Sequence, residues 1–181
     1  MTRIILLLVI VCTSFGTMSE ELEKLNVDYK NRTFIVMMVF TISTSLEKVR
    51  SVLADYKNLP DLDPSIIKIE LLKPPDEKTS RVKMLINYCI LFFCKSVVRT
   101  EDVTENKNGG FVAKIVPELS NIKSGESIWS FERKKEKIKI SFSSRIEPEF
   151  WIPPLIGPAV LKADLERRLR LTARKLEELA N

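Results

Sequence analysis

The sequence predicts an α+β domain: a curved antiparallel sheet of about seven strands wrapped around a long C-terminal helix. Three observations predict it. Segments rich in β-branched and aromatic residues, separated by turn signals, fill the chain from residue 66 to residue 146. A helical signature at residues 44–56 interrupts the series after its first strand. Residues 158–180 carry an amphipathic period, with Leu161, Leu165, Leu169, Ala173, Leu176 and Ala180 recurring every three or four positions while charged residues fall elsewhere on the wheel.

The N-terminus comes first in the chain. Arg3 precedes the apolar run at residues 4–11, and Ser14 and Gly16 supply small side chains for cleavage before Thr17, so residues 1–16 read as a secretory signal peptide. The apolar run is far short of the roughly 20 residues that span a bilayer. The protein is therefore expected to be exported, to a periplasm, with a polar lead-in at 17–32 and one domain at 33–181.

Residues 33–43 read as the first strand. Thr44 and Glu47 have capping-box spacing, and Val49, Val52 and Leu53 share a helical face, which predicts a short helix ending near Tyr56. Pro60 and Pro64, with Asp61 and Asp63 between and beside them, favour one further short turn of helix and then a loop. Strands are predicted at 66–72, 81–88, 97–104, 111–116, 127–133 and 137–146. In the last of these Ile138, Ile140, Phe142 and Ile146 alternate with Lys139, Ser141, Ser143 and Arg145, giving a packed face and a wet one. Trp129 and Phe131 lie on one face of the strand before it and are directed at the same interior. Gly157 then breaks the chain and Pro158 suits a first helical turn, so the terminal helix is predicted to start there. Asp164 with Arg168 and Glu166 with Arg170 have the spacing of supporting ion pairs along it.

Cleavage would remove Cys12 and leave Cys89 and Cys94. Two cysteines in an oxidising compartment usually pair, and a continuous strand would hold these two far apart on opposite faces, so a bridge requires a hairpin with Ile90, Leu91, Phe92 and Phe93 at its tip. Such a tip is a candidate membrane contact or gate, with Lys95 and Arg99 near lipid phosphates. The alternative is a buried strand carrying two inert thiols.

Several chemistries are excluded. The chain has no histidine, which removes Ser-His-Asp and Cys-His catalysis and the usual zinc sites. Its 5 glycines form no phosphate-binding loop, and no cofactor or metal is expected. The net charge of +5 is mild and scattered, without the basic and aromatic interleaving of a nucleic-acid surface, so nucleic acid is not an expected partner. The adjacent carboxylates Glu101 with Asp102 and Glu177 with Glu178 read as solvent facing, and nothing singles out Glu118, Arg145 or Glu147 as an acid or base.

The order of elements, the segment 52–60 (VLADYKNLP) and the terminal helix together resemble the START-like, helix-grip superfamily. Within it the chain is most similar to bacterial polyketide cyclase/dehydrase and coenzyme Q-binding proteins. Residues 150–158 (FWIPPLIGP) and 89–94 (CILFFC) are similar to segments of an exported bacterial subgroup, and the resemblance runs over about 33–180. It implies a hollow domain that grips a lipid, a quinone or a polyketide-like molecule between sheet and last helix. The facing aromatic and aliphatic positions place that cavity among Trp129, Phe131, Ile140, Phe142, Phe150, Trp151, Leu161 and Leu165. A carrier of a hydrophobic small molecule is the favoured expectation, an enzyme of the cyclase or dehydratase type is the alternative, and an interaction domain with a solid core is the third reading.

Overall fold

Hairpin follows hairpin along the chain except where two short helices intervene, and the result is a single antiparallel sheet. The computed structural model describes residues 21–90, 93–149 and 158–181. The strands are β1 (Glu21–Lys30), β2 (Thr33–Ile42), β3 (Ile66–Leu72), β4 (Thr79–Ile90), β5 (Phe93–Glu105), β6 (Phe111–Ile115), β7 (Ile122–Lys134) and β8 (Lys137–Pro148). They form an 8-stranded sheet in the order β1-β2-β8-β7-β6-β5-β4-β3. Between β2 and β3 lie α1 (Leu46–Ala54), a 3-10 turn (Tyr56–Asn58) and α2 (Leu59–Leu62), and α3 (Pro158–Leu179) closes the chain.

The segment read from sequence only as a polar lead-in holds the eighth strand, β1. Asn31 and Arg32 both take positive φ, 51° and 62°, and the ladder reaches Lys30 opposite Thr33, which is a two-residue turn of the kind whose twist matches a hairpin. Asn-Arg is not the usual sequence for such a turn, and a register shift between Leu22 and Lys24 breaks the alternation that would have announced a strand. Leu22 and Leu25 pack against the main core from this edge.

The capping expectation at α1 shifts by one residue. Ser45 is the N-cap and its side chain accepts from the Lys48 N–H at 3.3 Å. Thr44 instead donates its hydroxyl to the Ala180 carbonyl at 2.7 Å, and the Ser43 N–H donates to Glu177 Oε1 at 2.8 Å. Both contacts tie the end of β2 to the end of α3. The helix itself carries the expected ion pairs, Arg168 to Asp164 at 2.6 Å and Arg170 to Glu166 at 2.8 Å.

The two halves of α3 meet different surroundings. Ala173 and Leu176, in the C-terminal half, are buried in a cluster with Met38, Phe40, Ile42, Ile138 and Ile140 from β2 and β8 and with Val49, Leu53 and Leu62 from the short helices. A separate, smaller cluster, Ile66, Val82, Met84 and Ile86, packs β3 against β4 on the far side of the sheet order. The N-terminal half of α3 lies between these two packed regions.

The tie between β2 and α3 is testable. Glu177 does not face solvent as its sequence context suggests: it is 2% exposed, because its carboxylate is turned inward to accept the Ser43 N–H, and of the two only Glu178 is exposed. Glu177→Ala strands that donor and is expected to lower stability by about 1–3 kcal/mol in urea unfolding, whereas Glu178→Ala, on the exposed face, stays within about 0.5 kcal/mol of the parent. Equal effects would show that the buried tie contributes nothing.

Candidate functional site

Strand register decides where the interior is filled and where it is hollow. Reading across the sheet, Phe40 stands opposite Ile140 and Ile140 opposite Phe131, a row of large side chains beneath the C-terminal half of α3. Two residues along each strand, Met38, Phe142, Trp129 and Phe111 form the next row. Two further on, the row is Val36, Ser144, Ser127, Ala113 and Val103. Those side chains are small, and above them a cavity of about 390 Å³ opens under the N-terminal half of α3.

Its walls are mostly apolar. Phe111, Trp129 and Phe142 bound it on the side of the filled core, and Trp129 lies against Phe142 with ring centroids 4.5 Å apart. Leu53, Tyr56, Leu59 and Leu62 close it from the short helices, Val82, Met84 and Ile86 from β4, and Leu165, Leu169 and Thr172 from α3. Gly110 lets the start of β6 approach β7 here, since a Cβ on it would overlap the Trp129 carbonyl oxygen.

A polar group interrupts this lining. On β5 the positions facing the cavity are Lys95, Val97, Arg99, Glu101 and Val103. Arg99 Nη2 donates to Glu101 Oε1 at 2.5 Å and to Ser127 Oγ at 3.2 Å, and Ser127 Oγ lies 2.9 Å from Ser144 Oγ. Arg99 Nε is enclosed and meets no hydrogen-bond partner among the described residues. Burial works to lower the Arg99 pKa, but Glu101 and Tyr88 outweigh it and hold the guanidinium above its ordinary value. Burial likewise pushes the Tyr88 phenol up, with Arg99 pulling against it. A second pair lies on α3, where Arg168 bonds Asp164, donates from Nη2 to the Cys89 carbonyl at 3.0 Å, and sits 5.9 Å from the centre of the Tyr88 ring.

Of the sequence-predicted lining, Trp129, Phe142 and Leu165 stand around the cavity. Ile140 is fully buried in the filled core and Phe131 packs against it, because both belong to the row two residues nearer the anchored end of α3. Phe150 and Trp151 lie outside the described residues, as does the side chain of Leu161. Glu118, Arg145 and Glu147 do not line the cavity, and Glu147 pairs with Lys123 at 2.8 Å.

Two readings of polar residues are corrected. Glu101 is 6% exposed and faces inward, because Val82, on the buried face of β4, stands directly opposite it; Asp102 is half-buried and takes both arms of Arg81 at 2.7 Å. Arg99 stands opposite Met84 in the same ladder and lines the cavity, paired with Glu101, where it was expected near lipid phosphates. The alternation of Val97, Arg99, Glu101 and Val103 was the available signal, hidden because Val98 makes either face of β5 look apolar.

Cys89 and Cys94 form a disulfide and pair directly across the β4–β5 hairpin. The ladder continues to Ile90 opposite Phe93, so the connection is two residues, Leu91 and Phe92, where a four-residue loop was expected. Those two residues, and the side chains of Ile90 and Phe93, lie outside the described residues. Among the described residues no His, Cys, Asp and Glu cluster could hold a metal, and no helix is long and apolar enough to cross a membrane.

A family model described as polyketide cyclase / dehydrase and lipid transport matches residues 33–180, which takes in β2 through α3 and so the whole of the described cavity wall. The chain belongs to this family. Solved structures agree with this family on the fold. The Zhui aromatase/cyclase of a Streptomyces species matches with TM-score 0.64 at 14% identity, over 82% of this chain and 93% of that one. A START superfamily protein from Mycobacterium smegmatis gives 0.63 at 16%, over 80% and 98%. A STAR-related lipid transfer protein from Xanthomonas axonopodis gives 0.58 at 11%, over 84% and 98%. Such identities establish the helix-grip fold and no more. No curated protein sequence matches the chain.

The inward ion pair gives the site a stability signature. Arg99→Met strands the Glu101 carboxylate in an apolar wall and is expected to cost about 3–5 kcal/mol in urea unfolding, while Arg99→Met with Glu101→Leu recovers most of the loss. Equal losses in the single and double variants would mean that packing, and not the stranded charge, carries the cost.

Proposed function

We propose that this protein is an exported carrier that binds one hydrophobic molecule, a lipid, a quinone or a molecule of similar character, beneath the N-terminal half of α3. The observation that carries the reading is the hollow of about 390 Å³, walled by aromatic and aliphatic side chains at the place where a solid core would have continued. A domain that used its fold only for a surface interaction would have little use for such a void, because unfilled volume in a core is destabilising. Two features support export: the signal-like segment at residues 1–16, and a disulfide of the kind that persists in oxidising compartments. The apolar residues 90–93 at the hairpin end are the expected point of peripheral membrane contact, where a carrier would collect or deliver its cargo.

One observation favours a second reading, an enzyme of the cyclase or dehydratase type. Arg99, Glu101 and Tyr88 bring ionisable groups to the wall of an apolar cavity, which is the arrangement that acid–base chemistry requires. The carrier reading is preferred because Glu101 is already paired with Arg99 and because Asp164 and Arg168, the charged lining residues of α3, are paired with each other.

Organic extraction of protein purified from the exported fraction, followed by mass spectrometry, is expected to release one class of intact hydrophobic molecule, unchanged after prolonged incubation with fresh protein. Conversion of that molecule would establish the enzyme reading. Leu165→Trp places a large ring in the cavity and is expected to abolish co-purification while leaving the folded circular-dichroism spectrum intact. A folded Leu165→Trp protein that retains its cargo would show that the cargo sits elsewhere.

A further inference from the structure

The polar group in the wall restricts what the cavity can hold. Six charged side chains are among its described lining residues: Asp63, Glu101 and Asp164 against Lys95, Arg99 and Arg168, a balance of zero. Each guanidinium is already paired with a carboxylate, Arg99 with Glu101 at 2.5 Å and Arg168 with Asp164 at 2.6 Å, and the unpartnered Arg99 Nε is enclosed in the wall. An ionised carboxylate or phosphate brought to Arg99 would arrive beside Glu101, unneutralised and stripped of water.

The serines present the opposite case. Ser127 and Ser144 carry two hydroxyl hydrogens between them, and their mutual contact at 2.9 Å uses one. Ser127 Oγ also accepts from Arg99 Nη2, so the pair is supplied with donors. The remaining hydroxyl hydrogen has no acceptor among the described residues. Around the pair the wall is dry: Val36 and Ala113 flank it along the row, and Phe142 and Ile146 flank Ser144 along β8. Ser144, at 8% against 2% for Ser127, is the more open of the two.

We propose that the cavity selects molecules whose polar end is an uncharged oxygen acceptor, such as a ketone, quinone or ester carbonyl, seated on the Ser127–Ser144 pair, and that it rejects ionised acids of the same length. This rests on the ligand-binding reading above. A carbonyl oxygen accepts the left-over hydrogen and adds no charge beside Glu101. A carboxylate also accepts it but loses its hydration without a free counter-charge, and that cost exceeds one hydrogen bond.

The test compares three thirteen-carbon probes on the delipidated full chain by titration calorimetry at neutral pH: methyl undecyl ketone, tridecanoate and tridecane. The ketone is expected to bind about tenfold or more tightly than tridecanoate. Ser144→Ala is expected to weaken the ketone several-fold and leave tridecane unchanged. Glu101→Gln frees the Arg99 charge and is expected to raise tridecanoate affinity towards that of the ketone. Tridecanoate binding as tightly as the ketone to the parent protein would overturn the inference while leaving the ligand-binding reading intact. So would a Ser144→Ala variant that weakens ketone and tridecane equally. Failure of all three probes to bind would overturn the ligand-binding reading, and the inference with it.

Discussion

One helix has to cover the whole width of a twisted sheet, and it is anchored at one end. Ala173 and Leu176 sit on Phe40, Ile42, Ile138 and Ile140, and the Ser43 N–H and Thr44 hydroxyl bond Glu177 and the Ala180 carbonyl. Those contacts fix the height of α3 above the sheet. The same helix then runs out over a row where β8, β7 and β6 contribute Ser144, Ser127 and Ala113. At a height set by phenylalanine and isoleucine, side chains of that size cannot reach the helix. The hollow is the consequence, and its volume depends on the contrast between the two rows.

That geometry also decides where charge can be tolerated. A fully packed core would have no room for the Arg99 side chain to cross from β5 towards Ser127 on β7, and Ala113 on the intervening β6 is small enough to be passed over. The pair it makes with Glu101 is nearly withdrawn from water, an arrangement that on its own contributes little to stability and is costly when broken. Its presence in a mostly apolar wall is better accounted for by what it would do to a molecule bound there. With the charges matched inside the wall, the serines are left as the place where polarity can be offered without a net charge.

Much of this was legible in the sequence, and the parts that were not have physical reasons. The long period of residues 158–180 placed α3 from its first residue, because an amphipathic helix repeats its signal over many turns. The alternation in residues 137–146 placed β8 and its inward face. The edge strand β1 was missed because half its surroundings are solvent, so its composition is polar, and because the Leu22/Lys24 shift breaks its period. Trp129, Phe142 and Leu165 were legible as lining because large apolar residues on facing elements are visible one at a time. Ile140 and Phe131 have the same composition and the same facing, and only their row, two residues nearer the anchor, puts them in the filled core. Register across strands is a tertiary property, and no single segment encodes it. The Ser127–Ser144 floor was hidden for the same reason, since each serine alone looks like an ordinary interruption in a strand.

Xenon binding in a pressurised crystal of delipidated protein tests the contrast between the two rows most directly, because xenon enters apolar voids and reports their position without assuming a ligand. The account predicts xenon density above Ala113 and Ser127, bounded by Trp129, Phe142 and Leu165, with none between Leu176 and Ile140. Side chains filling the first position, or xenon in the second, would contradict it.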